Sequence, residues 1–213
     1  MILMSITKRD RQLINLLDNQ LKCITTSQVN KLPYFNCDNS ATSRRLRKIT
    51  VEYKLLQRQM MEVVNNTYVY WSIHDKYLPK QLEHSLKMTD VYLALVRTGY
   101  EIITFDIETG LKYNENNKDK VIIPDIMITA KSPAGRIESF FCEICLDKKI
   151  EDIKKKYNIY KNYYVPQVKK LGKNISPKQL LVISDIAFTL DDGIAIGTDL
   201  DEMESFFKFV SIG

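Results

Sequence analysis

Two short apolar, β-prone runs, each interrupted by a single carboxylate, constrain this chain most. They are Val121-Ile122-Ile123-Pro124-Asp125-Ile126-Met127-Ile128 and Phe140-Phe141-Cys142-Glu143-Ile144-Cys145-Leu146. Such runs read as buried strands, and an ionised side chain inside one is costly unless it is paired or coordinates a metal. Strand residues alternate, so Phe141, Glu143 and Cys145 face one way and Cys142 and Ile144 the other. If the two strands are neighbours, Asp125 and Glu143 converge. Converging carboxylates suit a hard divalent cation, Mg²⁺ or Mn²⁺, which takes oxygen ligands and keeps waters that can act as nucleophile. The bland alternative is two exposed acids at strand ends. Pro124 demands an edge or an irregular point in its run.

The pattern around these runs predicts an apolar helix over residues 90–96 closed by Gly99, then a strand over 100–105. Residues 114–120 read as a polar loop, and Ser132-Pro133-Ala134-Gly135 as a turn into a strand over 137–146. A long charged helix from Ile150 to about Val165, a buried strand over 180–184 and an amphipathic helix over 202–210 complete a mixed α/β layout. Residues 75–81, with Pro79, look like a connector, which places the boundary between two modules at 1–78 and 79–213.

The first module differs in charge and in pattern. Residues 1–82 hold 13 Lys and Arg against 6 Asp and Glu, a balance of +7; the remainder holds 18 against 20, or −2. That asymmetry points to polyanion binding at the N-terminal end. Thr7-Lys8-Arg9-Asp10 fits a capping box ahead of a helix reaching about Gln20, and Thr25-Thr26-Ser27-Gln28 repeats the signature before a short helix that Leu32-Pro33 ends. Asp38-Asn39-Ser40 starts a third helix, with Thr42, Leu46 and Ile49 on one side and Arg44, Arg47 and Lys48 on the other. Two β-rich runs, 55–64 and 67–73, then flank Asn65-Asn66, residues that tolerate the left-handed conformation of a tight hairpin.

Three helices and a hairpin are the order of a winged helix, in which the third helix enters the major groove and the hairpin follows the backbone. Arg44, Arg45, Arg47, Lys48 and, on the hairpin, Tyr68 are therefore the candidate DNA contacts of the first module. In the second, Lys154, Lys155, Lys156, Lys161, Lys169 and Lys170 interleave with Tyr157, Tyr160, Tyr163 and Tyr164. They could line a single-strand channel by charge and stacking, or equally form a solvated helix with its tyrosines buried.

With 45% hydrophobic and 27% charged residues, seven Gly and six Pro, the composition is that of a folded globular chain, not a collagen or a disordered tail. The four cysteines lack the density of a disulfide framework, and no apolar stretch reaches membrane-spanning length, so a cytoplasmic location is expected. Cys142 and Cys145 have CxxC spacing, but on a strand their thiols point to opposite faces, which disfavours zinc.

Pro124-Asp125, a hairpin, Glu143-x-Cys145 and an amphipathic helix resemble the PD-(D/E)xK nuclease pattern. The chain from Thr7-Lys8-Arg9-Asp10 through His84 and Asp90-Val91 to Pro124-Asp125 and Phe141-x-Glu143 further resembles the replication-relaxation family, which includes MOB-C type plasmid relaxases and mobilisation proteins. The resemblance implies a winged helix ahead of a restriction-endonuclease-like mixed-sheet domain, an α+β two-module architecture. It implies action at a plasmid or integrative-element origin during mobilisation or conjugation, on double-stranded DNA at the origin and single-stranded DNA at the nick, alone, as a homodimer or with relaxosome proteins. Asp125 and Glu143 would hold the metal. Cys145 stands where such enzymes carry a Lys or an acid; Asp147 lies on the same strand face, and Lys148 or Lys149 at the start of the following helix could migrate into that role. A hydrolytic water and a covalent tyrosine both remain open as nucleophile. The second expectation is a catalytically inactive origin-binding accessory or regulatory protein with a degenerate nuclease domain.

Overall fold

Side-chain caps set where the first three helices begin. In the computed structural model, which describes residues 6–35, 37–146, 150–164, 179–184 and 193–212, helix α1 (Lys8–Asn19) opens with the reciprocal bonds of a capping box. The Thr7 hydroxyl accepts from the Asp10 N–H, and the Asp10 carboxylate accepts from the Thr7 N–H at 2.7 Å. Helix α2 (Thr26–Lys31) repeats the arrangement with Thr25 and Gln28 and stops at Leu32, ahead of Pro33. Helix α3 (Asn39–Arg47) is capped by Asp38, whose Oδ1 accepts from the Ala41 N–H at 2.7 Å.

Between α1 and α2 lies a two-residue strand, β1 (Ile24–Thr25), too short to carry a period and absent from the sequence expectation. It joins the hairpin of β2 (Leu56–Met61) and β3 (Thr67–Ser72) in a sheet ordered β1-β3-β2. Asn65 and Asn66 take φ of +55° and +53°, as a tight turn requires, with a 3-10 turn over Glu62–Val64 ahead of them.

The chain divides into two compact units, Met1–Arg97 and Thr98–Gly213, so the division falls after helix α4 (Leu82–Arg97) instead of at residues 78/79. Polar ties account for the difference. Gln28 Nε2 donates to the Leu86 carbonyl at 2.9 Å and to Asp90 Oδ1 at 2.8 Å, and Thr89 donates to the Cys23 carbonyl at 2.7 Å. The helix starts eight residues earlier than its apolar pattern suggests, because Ser85 and Thr89 occupy buried positions and break the hydrophobic stripe.

Arg45, expected among the DNA contacts of the first module, has a partner within the fold. Its guanidinium turns inward and forks onto Asp10, with Nε 3.0 Å from Oδ1 and the second nitrogen on Oδ2, while Tyr53 lies against it. Arg44 and Arg47 remain exposed, and Thr42, Leu46 and Ile49 are buried as expected.

The second unit is built on a mixed five-stranded sheet. Its members are β4 (Glu101–Ile107), β7 (Ile126–Lys131), β8 (Ile137–Cys145), β9 (Gln179–Ser184) and β10 (Gly193–Ile196), in the spatial order β10-β9-β8-β7-β4. Strand β7 pairs antiparallel with both β4 and β8, whereas β9 runs parallel to β8 and to β10. Most of the expected loop over 114–120 is a separate hairpin of β5 (Leu111–Glu115) and β6 (Lys118–Ile122), turning on Asn116 and Asn117 at φ +52° and +60°. Its outward residues are polar or exposed, and Leu111, Tyr113 and Ile122 alone are buried, so composition resembles a loop.

Pro124 sits where the expected single run is cut in two: β6 ends at Ile122 in one sheet and β7 starts at Ile126 in another. Helix α5 (Ile150–Ile159), continued by a π-helical turn over Tyr160–Tyr164, packs on the sheet face of Met127, Phe141, Cys145, Leu180 and Val182. Helix α6 (Leu200–Ile212) serves the other face, where Phe207 meets Phe140 and Tyr100 at ring distances of 5.8 and 5.7 Å.

Burial alone would raise the Asp10 carboxyl, but the hydrogen bonds from Arg45 and Thr7 outweigh it and hold it below its ordinary 3.8. A depressed native value contributes stability that is fully present above the unfolded value and is lost as pH falls through the native one. Asp10→Ala, which strands Arg45 and removes the cap, is expected to cost about 3 kcal/mol in urea unfolding at neutral pH. The gap from wild type should narrow below pH 4; a gap independent of pH would exclude the ion pair as its source.

Candidate active site

Helix spacing and strand alternation converge on Glu143. It lies between Phe141 and Cys145 on the α5 side of β8, and its side chain is 0% exposed. Residues Ile153, Lys156, Tyr157 and Tyr160 follow i, i+3, i+4, i+7 spacing and form the sheet-facing stripe of α5. That stripe is apolar except at Lys156, whose ammonium reaches Glu143 Oε2 at 2.6 Å and the Ile123 carbonyl at 3.0 Å. The Tyr160 hydroxyl donates to Glu143 Oε1 at 3.0 Å, and its ring stacks on Phe141 at 4.5 Å and 14°. Glu143 therefore has a donor on each oxygen, and an anion this deep needs both.

Asp125 arrives from the neighbouring strand. The β7–β8 register pairs Ile126 with Cys142, which sets Asp125 opposite Glu143 one step further on. Asp125 Oδ2 accepts the Ile144 N–H at 2.7 Å. Beyond Ile126 the β7 ladder has ended, so this carboxylate takes the place that a main-chain carbonyl of a longer strand would hold. Its other anchor is main-chain: the Asp125 carbonyl accepts from the N–H of Glu108, a residue at φ +49° just beyond β4.

Both carboxylates act on the groups around them. Burial first, then the charge and hydrogen bond of Glu143, then the charge of Asp125 push the Tyr160 hydroxyl far above the usual phenol range. Burial and the charges of Asp125 and Glu143 likewise raise the Cys142 thiol. Neither group has the lowered pKa that is one route to an activated nucleophile.

Of the sequence candidates, the structure brings Asp125, Glu143 and Lys156 together. Lys156, expected on a nucleic-acid channel, is instead turned toward the sheet. Cys145 packs in the apolar cluster beneath α5, 3% exposed and paired in register with Ser184, so its thiol is a core side chain. Tyr157 and Tyr160 are buried in the same cluster, the second of the two arrangements the sequence left open, and Lys155 is exposed and paired with Asp152 at 3.3 Å. Asp147, Lys148, Lys149, Lys169 and Lys170 lie outside the described residues. In the first unit Tyr68 is half-buried beneath Arg58, whose guanidinium sits 4.5 Å above its ring.

Among the described residues, the Ile144 N–H, the Lys156 ammonium and the Tyr160 hydroxyl donate to the two acids. Among the described residues no three of His, Cys, Asp and Glu cluster. Mg²⁺ is commonly held by one or two carboxylates with waters and substrate phosphate completing its shell, and Asp125 and Glu143 are the residues here of that donor type.

No family model matches the chain, and no curated protein matches it. Among solved structures, protein VC1899 from Vibrio cholerae is 11% identical and aligns over 80% of this chain with a TM-score of 0.38. This chain covers 43% of that protein's length. At that score the likeness carries no argument.

Tyr160→Phe keeps the ring on Phe141 and removes a hydrogen bond to a buried charge, so a loss of about 2 kcal/mol is expected in chemical denaturation. A loss no larger than that of Tyr157→Phe would mean that the Glu143 contact contributes nothing.

Proposed function

We propose that the chain binds DNA through its first unit and cuts one DNA strand with its second, in a reaction dependent on Mg²⁺ or Mn²⁺. The observation that carries this reading is the grouping of Asp125, Glu143 and Lys156 at the start of β7, the middle of β8 and the buried face of α5. An ion pair with a second carboxylate on the neighbouring strand makes a functional-site candidate.

The topology supports a PD-(D/E)xK reading. Strand β4, strand β7 behind Pro124-Asp125, strand β8 with Glu143, helix α5 and a parallel β9 follow the order expected of that domain. The element order α1-β1-α2-α3-β2-β3, with Arg44 and Arg47 exposed on α3, supports a winged helix. Resemblance to the replication-relaxation family adds a plasmid or integrative-element origin as the target.

A divalent cation, when bound, would offset charge on the phosphate oxygens and favour the ionised form of a water. Asp125 and Glu143 would hold it; Tyr160 and the Ile144 N–H orient the two acids, and Lys156 would offer its ammonium to the phosphate. The cleavage is hydrolytic: a water oxygen bonds to phosphorus, the bond to one sugar oxygen breaks, and that oxygen takes up a proton. Tyr160, buried and hydrogen-bonded to Glu143, is poorly suited to a covalent route.

One observation favours a second reading. Lys156 already compensates Glu143, and an apolar-packed Cys145 stands two positions after it, where nucleases of this pattern carry a Lys or an acid. On that reading the chain is an origin-binding accessory protein.

Supercoiled origin DNA with Mn²⁺ separates the two. Wild type is expected to give nicked circles, and Asp125→Ala and Glu143→Ala to lower the rate at least about 100-fold while binding persists. Binding without any nicking by wild type would establish the accessory reading. Arg44→Ala with Arg47→Ala should weaken binding and reduce the slope of log K against log salt by roughly 2, because two fewer counterions are released. An unchanged slope would remove α3 from the interface.

A further inference from the structure

We infer that Lys156 is a built-in counter-ion that competes with a divalent cation for Glu143 and is released toward substrate when the cation binds. The inference rests on the metal-dependent reading above and gives its site a regulatory step.

The geometry sets up the competition. The Lys156 ammonium spans from the Ile123 carbonyl, two residues before Asp125 in the chain, to Glu143 Oε2 on the next strand. Tyr160 holds the other oxygen, Oε1, and Asp125 Oδ2 is held by the Ile144 N–H. Glu143 Oε2 is thus the oxygen under the lysine, so a cation taken up there meets the ammonium. Two like charges in a buried space repel strongly, and one must leave.

Lys156 can leave, because its partner cannot. Its side chain is 28% exposed against 0% for Glu143, it extends from a helix next to solvent, and its four-carbon stem can swing the ammonium outward. It stays tethered to α5 beside Asp125, within reach of an anion bound at the same place. Without a cation, Lys156 supplies the charge that makes burial of Glu143 tolerable; with one, the same charge becomes available to a phosphate.

The test measures Mn²⁺ affinity by calorimetry for the full chain, Lys156→Gln and Glu143→Gln. Lys156→Gln, which keeps a hydrogen-bond donor and removes the charge, should bind Mn²⁺ roughly tenfold tighter than wild type, and Glu143→Gln should not bind it. Equal or weaker binding by Lys156→Gln, with wild-type binding intact, would overturn the counter-ion role and leave the nuclease reading standing. Absence of Glu143-dependent binding in every chain would overturn that reading itself. If Lys156→Gln does not fold, the wild type suffices: its ¹⁵N-labelled Lys156 ammonium resonance should shift on Mg²⁺ saturation and stay unmoved by matched ionic strength of NaCl. A resonance that ignores Mg²⁺ overturns the inference.

Discussion

Burying the charge of Glu143 is the constraint on which the second unit's arrangement turns. A carboxylate removed from water costs several kcal/mol unless hydrogen bonds and an opposite charge replace its hydration. β8 is a central strand, bonded on both sides, so Glu143 cannot reach solvent sideways. Its compensation has to come from above the sheet, and that fixes which face and which register of α5 packs there. Rotating α5 by one residue would point Lys156 away and put Tyr157, with its hydroxyl one turn too early, over the acid. The widening of the helix at Tyr160 belongs to the same requirement, since it begins at the residue whose hydroxyl meets Glu143 Oε1. Such π-helical turns recur at functional sites.

Pro124 contributes the second half of the site by subtraction. It supplies no N–H to extend β7, so the ladder between β7 and β8 closes at Ile126, and Ile144 presents an N–H beyond the end of its partner. The Asp125 side chain fills that gap. The break that hands the chain from the small hairpin to the large sheet thus also orients an acid at the sheet's edge of pairing, and the same segment offers the Ile123 carbonyl to Lys156. One local interruption places three polar groups together.

Much of this was legible in the residues. Capping boxes at Thr7 and Thr25 announced α1 and α2 because the reciprocal hydrogen bonds are local and depend on four consecutive residues. The alternation of Phe141, Glu143 and Cys145 put the acid on a defined face for the same reason. What escaped depends on partners distant in the chain. Lys156 lies thirteen positions from Glu143 on another element, and only packing reveals that it points inward. Arg45 is indistinguishable from Arg44 by composition, yet its partner Asp10 is thirty-five residues away. The hairpin of β5 and β6 was hidden by its exposed, charged outer positions, although Asn116-Asn117 carries the same turn signal that was read correctly at Asn65-Asn66. The start of α4 was masked by the buried Ser85 and Thr89, the second of which donates its hydroxyl to the Cys23 and Ser85 carbonyls.

The two readings of the second unit differ in what the ion pair is for. Buried pairs seldom add net stability: replacing both partners with apolar side chains of similar volume is often neutral or stabilising by about 1–4 kcal/mol. The surroundings of Glu143 are already apolar, with Phe141, Ile153, Tyr157 and Val182 in the same cluster, so a leucine and a methionine would suit the packing. A purely structural domain has little reason to keep a lysine and a glutamate there, together with a tyrosine hydroxyl that orients the acid and a second carboxylate opposite it. In the first unit the Asp10–Arg45 pair has an evident structural use, since Asp10 also caps α1 and Arg45 joins that cap to α3. The Glu143–Lys156 pair caps no helix. Its cost is understandable if the charge held in reserve is spent on a cation and a phosphate, which makes the composition of this site, more than its shape, the argument for chemistry.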